Sequence, residues 1–240
     1  MLSDVMEDYL KAIYALQTED GAPVATSAIA EYLDVTPPTV TSMVEKLEDR
    51  GLVEREKYKG VELTPEGETV ALEVLRHHRL LEAYLTEHLD YSWNEVHDEA
   101  DRLEHHISEE FERRVAEALG DPEVDPHGDP IPSADLTPPE EDDTTPLTEY
   151  DSGDAVVVAR VSDRDEEELG YLADAGITPG TELEVVDVAP FGMVTVAFDR
   201  EAAADSERRD QSLPENVARS IRVRTVDPAN ETPETGVGGA

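Results

Sequence analysis

The first 64 residues constrain the fold most, because two short helix-length segments meet there at a tight turn and run into a glycine-bearing hairpin. Leu2, Val5, Met6, Tyr9, Leu10, Ile13 and Leu16 recur at helical spacing, which predicts an amphipathic helix over 3–18 with Ser3 and Asp4 as caps. A short helix follows over 26–33. Asp34-Val35-Thr36 forms a turn, and a second helix opens at Pro37-Pro38, where proline suits a first turn, and stops near Gly51. Val40, Val44 and Leu47 share the face that would turn inward. Leu52 to Lys57 and Val61 to Thr64, joined through Lys59-Gly60, read as a two-stranded wing. Helix-turn-helix followed by such a hairpin is a winged helix, placed at 1–64.

Charge placement gives that module a partner. The chain has a formal net charge of -39, yet all four lysines (11, 46, 57 and 59) precede residue 60. Lys46, Arg50, Arg55, Lys57 and Lys59 crowd onto the second helix and the wing, a basic island suited to phosphates. Ser27, Pro38, Thr39, Thr41 and Ser42 complete the expected surface, with the hydroxyls reaching base edges or phosphates. The expected partner is double-stranded operator DNA, read by a homodimer across two half-sites.

Downstream, the chain turns to different chemistry. Six of its seven histidines fall between residues 77 and 106, among carboxylates at helical spacing. His97, Asp101, Glu104 and His105 would share one helical stripe, and His78 and Glu82 lie four apart. With no cysteine anywhere, such a nitrogen and oxygen donor set suits Mn(II) or Fe(II). Two helices are expected to carry it, one from Thr64 and one over 93–119, and the domain at 65–120 would also hold the dimer core. Residues 121–150, rich in Pro, Asp and Thr, read as a linker. From Gly153 short alternating strands, interrupted by a helix over 165–175, suggest a small barrel at 151–226, followed by a disordered tail at 227–240. The fold class is thus mainly α with a β C-terminal domain.

These pieces resemble the diphtheria toxin repressor family of metal-dependent transcriptional repressors, including its manganese regulator branch, in a haloarchaeal-type version. Met6-Glu7-Asp8-Tyr9-Leu10, Arg79-Leu80-Leu81-Glu82, Val96-His97-Asp98-Glu99-Ala100, Glu104-His105-His106 and His127-Gly128-Asp129-Pro130-Ile131-Pro132 carry the likeness, which covers about residues 3–225. The resemblance implies an SH3-like C-terminal domain and two metal sites per subunit. Its primary site would use Asp8, Asp101, Glu104 and His105; its ancillary site would use His78, Glu82 and His97, with Asp165 and Glu168 reaching in from the barrel. That splits the helical stripe between two sites.

Iron-type relatives carry methionine and cysteine where Asp8 and Asp101 stand, so hard oxygen at both positions favours manganese. Manganese-type relatives carry glutamate where this chain has Lys11. An ammonium there cannot ligate and repels a second cation, which implies a mononuclear primary site. The expected function is repression of metal-homeostasis genes by a Mn(II)- or Fe(II)-loaded dimer. The alternative is a winged-helix regulator that answers a non-metal signal and keeps vestigial ligands. Nucleophile motifs and glycine-rich phosphate loops are missing from the sequence, so neither an enzyme nor a small-molecule substrate is expected. The start lacks a signal-peptide pattern and no apolar run reaches membrane-spanning length, so no membrane contact is expected. Cytoplasmic placement follows, in the salt-loaded interior that such acidity suits.

Overall fold

The computed structural model describes residues 2–56, 59–139, 143–190, 192–199 and 208–226, which fall into two compact units, Met1–Glu140 and Glu141–Ala240. Lys57 and the expected tail at 227–240 lie outside the described residues.

In the first unit, α1 (Asp4–Asp20), α2 (Thr26–Tyr32) and α3 (Pro37–Glu48) surround a core that includes Leu10, Ile13, Ile29, Val40, Val44, Leu47 and Val61. Each such side chain removed from water contributes roughly 1.5–3 kcal/mol. The wing pairs β1 (Val53–Glu56) antiparallel with β2 (Gly60–Leu63), from Val53 opposite Leu63 to Glu56 opposite Gly60. Gly60 is required by close approach. A Cβ there would stand 2.1 Å from the Val24 carbonyl oxygen, and Val24 and Val61 exchange backbone hydrogen bonds of 2.8 and 2.9 Å.

Next comes α4 (Pro65–Leu89), started by Thr64, whose hydroxyl accepts the Gly67 N–H at 3.1 Å. Its first turn passes so near β1 that a Cβ on Gly67 would lie 1.9 Å from the Leu52 carbonyl oxygen. The single helix expected over 93–119 is two helices, α5 (Val96–Leu103) and α6 (Glu109–Leu119), and Trp93 precedes both. Ser108 causes the restart. Its backbone is extended and its hydroxyl accepts the Phe111 N–H at 3.3 Å, an N-cap that a continuous helix has no room for. Apolar residues at helical spacing run on through the break, which is why periodicity alone does not reveal it.

The segment expected as a linker is also divided. Residues 121–139 belong to the first unit. Arg76 Nη1 donates to the Pro132 carbonyl at 2.6 Å and Arg79 Nη1 donates to that of Pro130, while Asp125, His127 and Ile131 are buried. In the second unit, β3 (Thr145–Pro146) and a 3-10 turn (Leu147–Glu149) precede the main sheet, with Leu147 fully buried.

That sheet holds β4 (Ala155–Val161), β5 (Glu182–Val188), β6 (Val194–Asp199), β7 (Arg208–Leu213) and β8 (Ile221–Thr225), with α7 (Glu166–Ala175) and α8 (Glu215–Ser220) between strands. Its order is β3-β8-β4-β5-β6-β7, antiparallel throughout. Register shifts at Val158/Arg160 and Val185/Asp187 add the local twist that a small curled sheet needs. Val156, Val158, Val185, Val196, Ile221 and Val223 alternate inward to form its core. Sequence alternation missed β7, because Arg208-Arg209-Asp210-Gln211-Ser212-Leu213 has a single apolar residue. Among the described residues no helix is long and apolar enough to cross a membrane.

Candidate metal centre

Helix α4 brings His78 and Glu82 to one buried face, a turn apart, while α5 presents His97 across from them. Leu81 and Leu85 pack on Val96 and Ala100, which fixes the two helices side by side. Glu82 Oε1 lies 3.0 Å from His78 Nε2 and 3.2 Å from His97 Nδ1, and the two ring nitrogens are 3.1 Å apart. Two imidazole nitrogens and one carboxylate oxygen therefore converge within 4.8 Å, with Glu82 wholly shielded from water. This is the trio expected for the ancillary site.

A second convergence forms where α5 ends. The chain leaves the helix at Glu104, and His105 turns toward α1 instead of continuing the α5 stripe. His105 Nε2 lies 2.9 Å from Asp8 Oδ1 and 3.4 Å from Glu104 Oε1, and its Nδ1 lies 2.8 Å from Glu7 Oε2. Asp8, Glu104 and His105 thus offer one ligand atom each within 4.8 Å. Asp101 instead groups with His78 and Glu104, its Oδ1 3.2 Å from His78 Nδ1. Glu104 is common to both groups and 1 % exposed.

Lys11 fills the space between them. Its Nζ donates to Asp101 Oδ1 at 2.9 Å and to both Glu104 oxygens at 2.8 and 2.9 Å, which uses all three ammonium protons. Burial alone would lower the Lys11 pKa, but the Glu104 and Asp101 carboxylates outweigh it and raise it. Asp101 is held well below the usual carboxylate range. Burial opposes that shift, and the His78 hydrogen bond and the Lys11 charge impose it.

Burial disfavours a charged His78, yet Glu82, with Asp101 and Glu104, outweighs burial and the nearby Lys11 ammonium and raises its pKa well above the ordinary histidine value. Glu82 is correspondingly lowered against its burial, chiefly by His78. His105 is raised as well: burial works against its charge, and Glu7, Glu104 and Asp8 outweigh burial. Asp8 is raised because burial exceeds the attraction of His105 and Lys11. The donors are all nitrogen and oxygen, which fits a hard divalent cation of the Mn(II) or Fe(II) kind.

Two surrounding groups, Glu7 and Asp125, escaped the sequence analysis. Glu7 orients His105, and His77 Nδ1 lies 3.0 Å from the Glu104 carbonyl, pinning the turn that carries Glu104 and His105. Glu7 stands next to Asp8 in sequence and was within reach of a neighbour argument. The buried pair Asp125 and His127 gave no periodic signal.

Ser27, Pro38, Thr39, Thr41, Ser42, Lys46 and Arg50 are exposed on α2, α3 and the turn after it. Thr41 Oγ1 donates to the Pro37 carbonyl at 3.0 Å, and Thr36 and Thr39 share a 2.8 Å hydroxyl contact. Arg55 sits 3.5 Å from Glu45 and 3.7 Å from Glu48, and Lys59 sits 2.6 Å from Glu56, so these two cations are paired locally. In the second unit, Asp165 caps α7 by accepting the Glu167 and Glu168 N–H groups at 2.9 and 3.1 Å. Glu168 Oε1 accepts a 2.6 Å bond from Asn216.

Three family models match this chain: the iron dependent repressor N-terminal DNA binding domain over residues 1–61, its metal binding and dimerisation domain over 64–133, and the FeoA domain over 145–225. The diphtheria toxin repressor of Corynebacterium glutamicum is 34% identical over 235 residues, covering 94% of this chain and 98% of that protein. The iron-dependent repressor IdeR of Mycobacterium tuberculosis is 35% identical over 236 residues, covering 94% and 99%. Among solved structures, a manganese-dependent transcriptional repressor in complex with manganese superposes with a TM-score of 0.82 at 39% identity, covering 92% of this chain and all (100%) of that one. The manganese regulator SloR superposes at 0.74 with 32% identity, covering 92% and 98%.

Proposed function

The chain belongs to the iron-dependent repressor family, and from that premise we propose that it represses metal-homeostasis genes as a Mn(II)-preferring homodimer. The observation that carries this reading is the 2.9 Å approach of Asp8, on the first helix of the winged-helix module, to His105, on the turn after α5. A divalent cation supplies a Coulombic link between those segments. Glu104 and His105 hold it from the helical side and Asp8 holds it from the DNA-reading side. Fixing α1 in this way fixes the recognition helix α3, which shares the α1 core. Loading then shifts the population toward dimers whose two recognition helices match successive major grooves, a coupling typically of about 1–3 kcal/mol.

Oxygen at Asp8 and Asp101 favours Mn(II) over softer ions. Lys11 limits the primary position to a single ion, because its ammonium contacts the oxygens that a second ion would need. His78, Glu82 and His97, whose ligand atoms converge, are the candidates for the ancillary position. On the DNA side, Thr39 and Ser42 read bases while Lys46, Arg50, Arg55, Lys57 and Lys59 meet phosphates.

The test is operator affinity with saturating Mn(II) and with chelator, in the parent protein and in Glu104→Ala and His105→Ala. Metal-dependent binding should disappear in both variants while the dimer persists. Operator affinity indifferent to chelator would instead favour a regulator of the same fold that answers a non-metal signal.

A further inference from the structure

Glu82 has two oxygens, and they face different neighbours. Oε1 meets His78 and His97. Oε2 points the other way, 3.6 Å from His127 Nδ1, and makes no hydrogen bond among the described residues. Asp125 Oδ2 likewise makes none, although Arg79 Nε lies 3.7 Å from it. Glu82 Oε2, Asp125 Oδ2 and His127 Nδ1 all lie within 4.8 Å of one another, in residues 0 %, 5 % and 0 % exposed.

Buried carboxylate oxygens left in this state are costly unless something positive sits among them. Three orienting contacts prepare the cluster. His127 Nε2 lies 2.8 Å from the Trp93 carbonyl, which can only accept, so this nitrogen carries the proton. Nδ1 is then the ring nitrogen that faces Glu82, 3.6 Å from Oε2. A histidine that ligates a metal characteristically donates its other N–H to a backbone carbonyl in this way. Asp125 Oδ1 is held in place by the His127 and Asp129 N–H groups at 2.8 and 2.9 Å, leaving Oδ2 to face the cluster.

We propose that Glu82 Oε2, Asp125 Oδ2 and His127 Nδ1 form a further divalent-cation position, joined to the His78–Glu82–His97 position through Glu82 as a bridging carboxylate. Donors about 2.0–2.2 Å from an ion are at most about 4.4 Å apart, so the cluster closes on one with shifts of a few tenths of an ångström. The donor set again selects a Mn(II)-type ion. The proposal rests on the reading of this helical segment as metal-binding and adds an ion that reading does not include.

Mn(II) alone is the probe, measured by equilibrium dialysis and by electron paramagnetic resonance on the full-length protein. Asp125→Asn keeps the Oδ1 acceptor that shapes the turn and removes the Oδ2 ligand; His127→Gln removes the nitrogen. Each variant should bind one equivalent fewer per subunit than the parent. The saturated parent should show an exchange-coupled Mn(II) pair, replaced in the variants by the hyperfine pattern of isolated ions. If the variants fold poorly, the spectrum of the parent decides alone: no coupled pair at saturation overturns the proposal. Equal stoichiometry in the parent and both variants also overturns it. If Glu104→Ala still abolishes operator binding in that case, only the extra ion is lost and the repressor reading stands.

Discussion

Lys11 places a protein cation among the carboxylates that are also offered to a metal. Replacing it by methionine leaves Glu104, fully buried, short of its main counterion. Lys11→Met should therefore destabilise the metal-free protein by about 3 kcal/mol, and the Mn(II)-loaded protein by much less. Urea unfolding with chelator and with Mn(II) checks this; equal losses would mean that the ammonium and the ion do not share a site. Protons behave similarly. His78 and His105 have raised pKa values, so the metal-free protein retains protons there above about pH 6.5 that ligation must expel. Mn(II) affinity should climb as pH rises through those raised values. The stability that the two imidazoliums give the metal-free fold is complete below about pH 6.5 and fades over the same rise. Calorimetry in buffers of different ionisation enthalpy counts the expelled protons, and a count of zero would refute the assignment. The candidate residues of the cluster were legible in the sequence because histidine and carboxylate recur there at three- and four-residue spacing, which puts them on one helical face. Their grouping was less so, because Asp101 and His105 sit either side of a helix end.

At the scale of elements, what the sequence hid was mostly non-local. Val40, Val44 and Leu47 announce the inward face of α3 without help from elsewhere. The break between α5 and α6 is announced only by Ser108 followed by Glu109 and Glu110, and the apolar pattern Leu103, Ile107, Phe111, Val115 runs straight over it. Ser108→Ala should lower stability by about 1 kcal/mol and weaken Mn(II) binding as well, since the turn it ends carries Glu104 and His105. A thermal melt and a metal titration read the two effects. Residues 121–139 looked like a linker because proline and aspartate dominate them; two arginines of α4, distant in sequence, convert them into packed structure. Glycine at 67 runs against propensity. An alanine in a helix ordinarily gains about 1 kcal/mol over glycine, yet Gly67→Ala should destabilise, because its methyl would strike the Leu52 carbonyl. A variant melting at or above the parent temperature would show that the wing has room to retreat.

For the molecule as a whole, a charge of -39 sets the conditions under which it meets DNA. A repressor relying on counterion release loses affinity with a log–log salt slope near -0.9 per phosphate neutralised. Here the cations at the DNA-facing surface are few, and Arg55 and Lys59 are already paired with glutamates. Repulsion by the acidic remainder reaches about 30 Å near 0.01 M salt and about 3 Å at 1 M. Operator affinity with saturating Mn(II), followed by anisotropy from about 0.2 to 3 M KCl, should fall gently or rise before it falls. A steep monotonic loss from a folded dimer would show ordinary phosphate neutralisation in control. A different consequence follows from α1, which gives Tyr9, Leu10 and Ile13 to the winged-helix core and Asp8 and Lys11 to the charge cluster beyond it. The border of the DNA-binding fold is thus not the border of the sensor. A chimera spliced between residues 61 and 64, where the family's two modules meet, would inherit its address from one parent and half of its trigger from each.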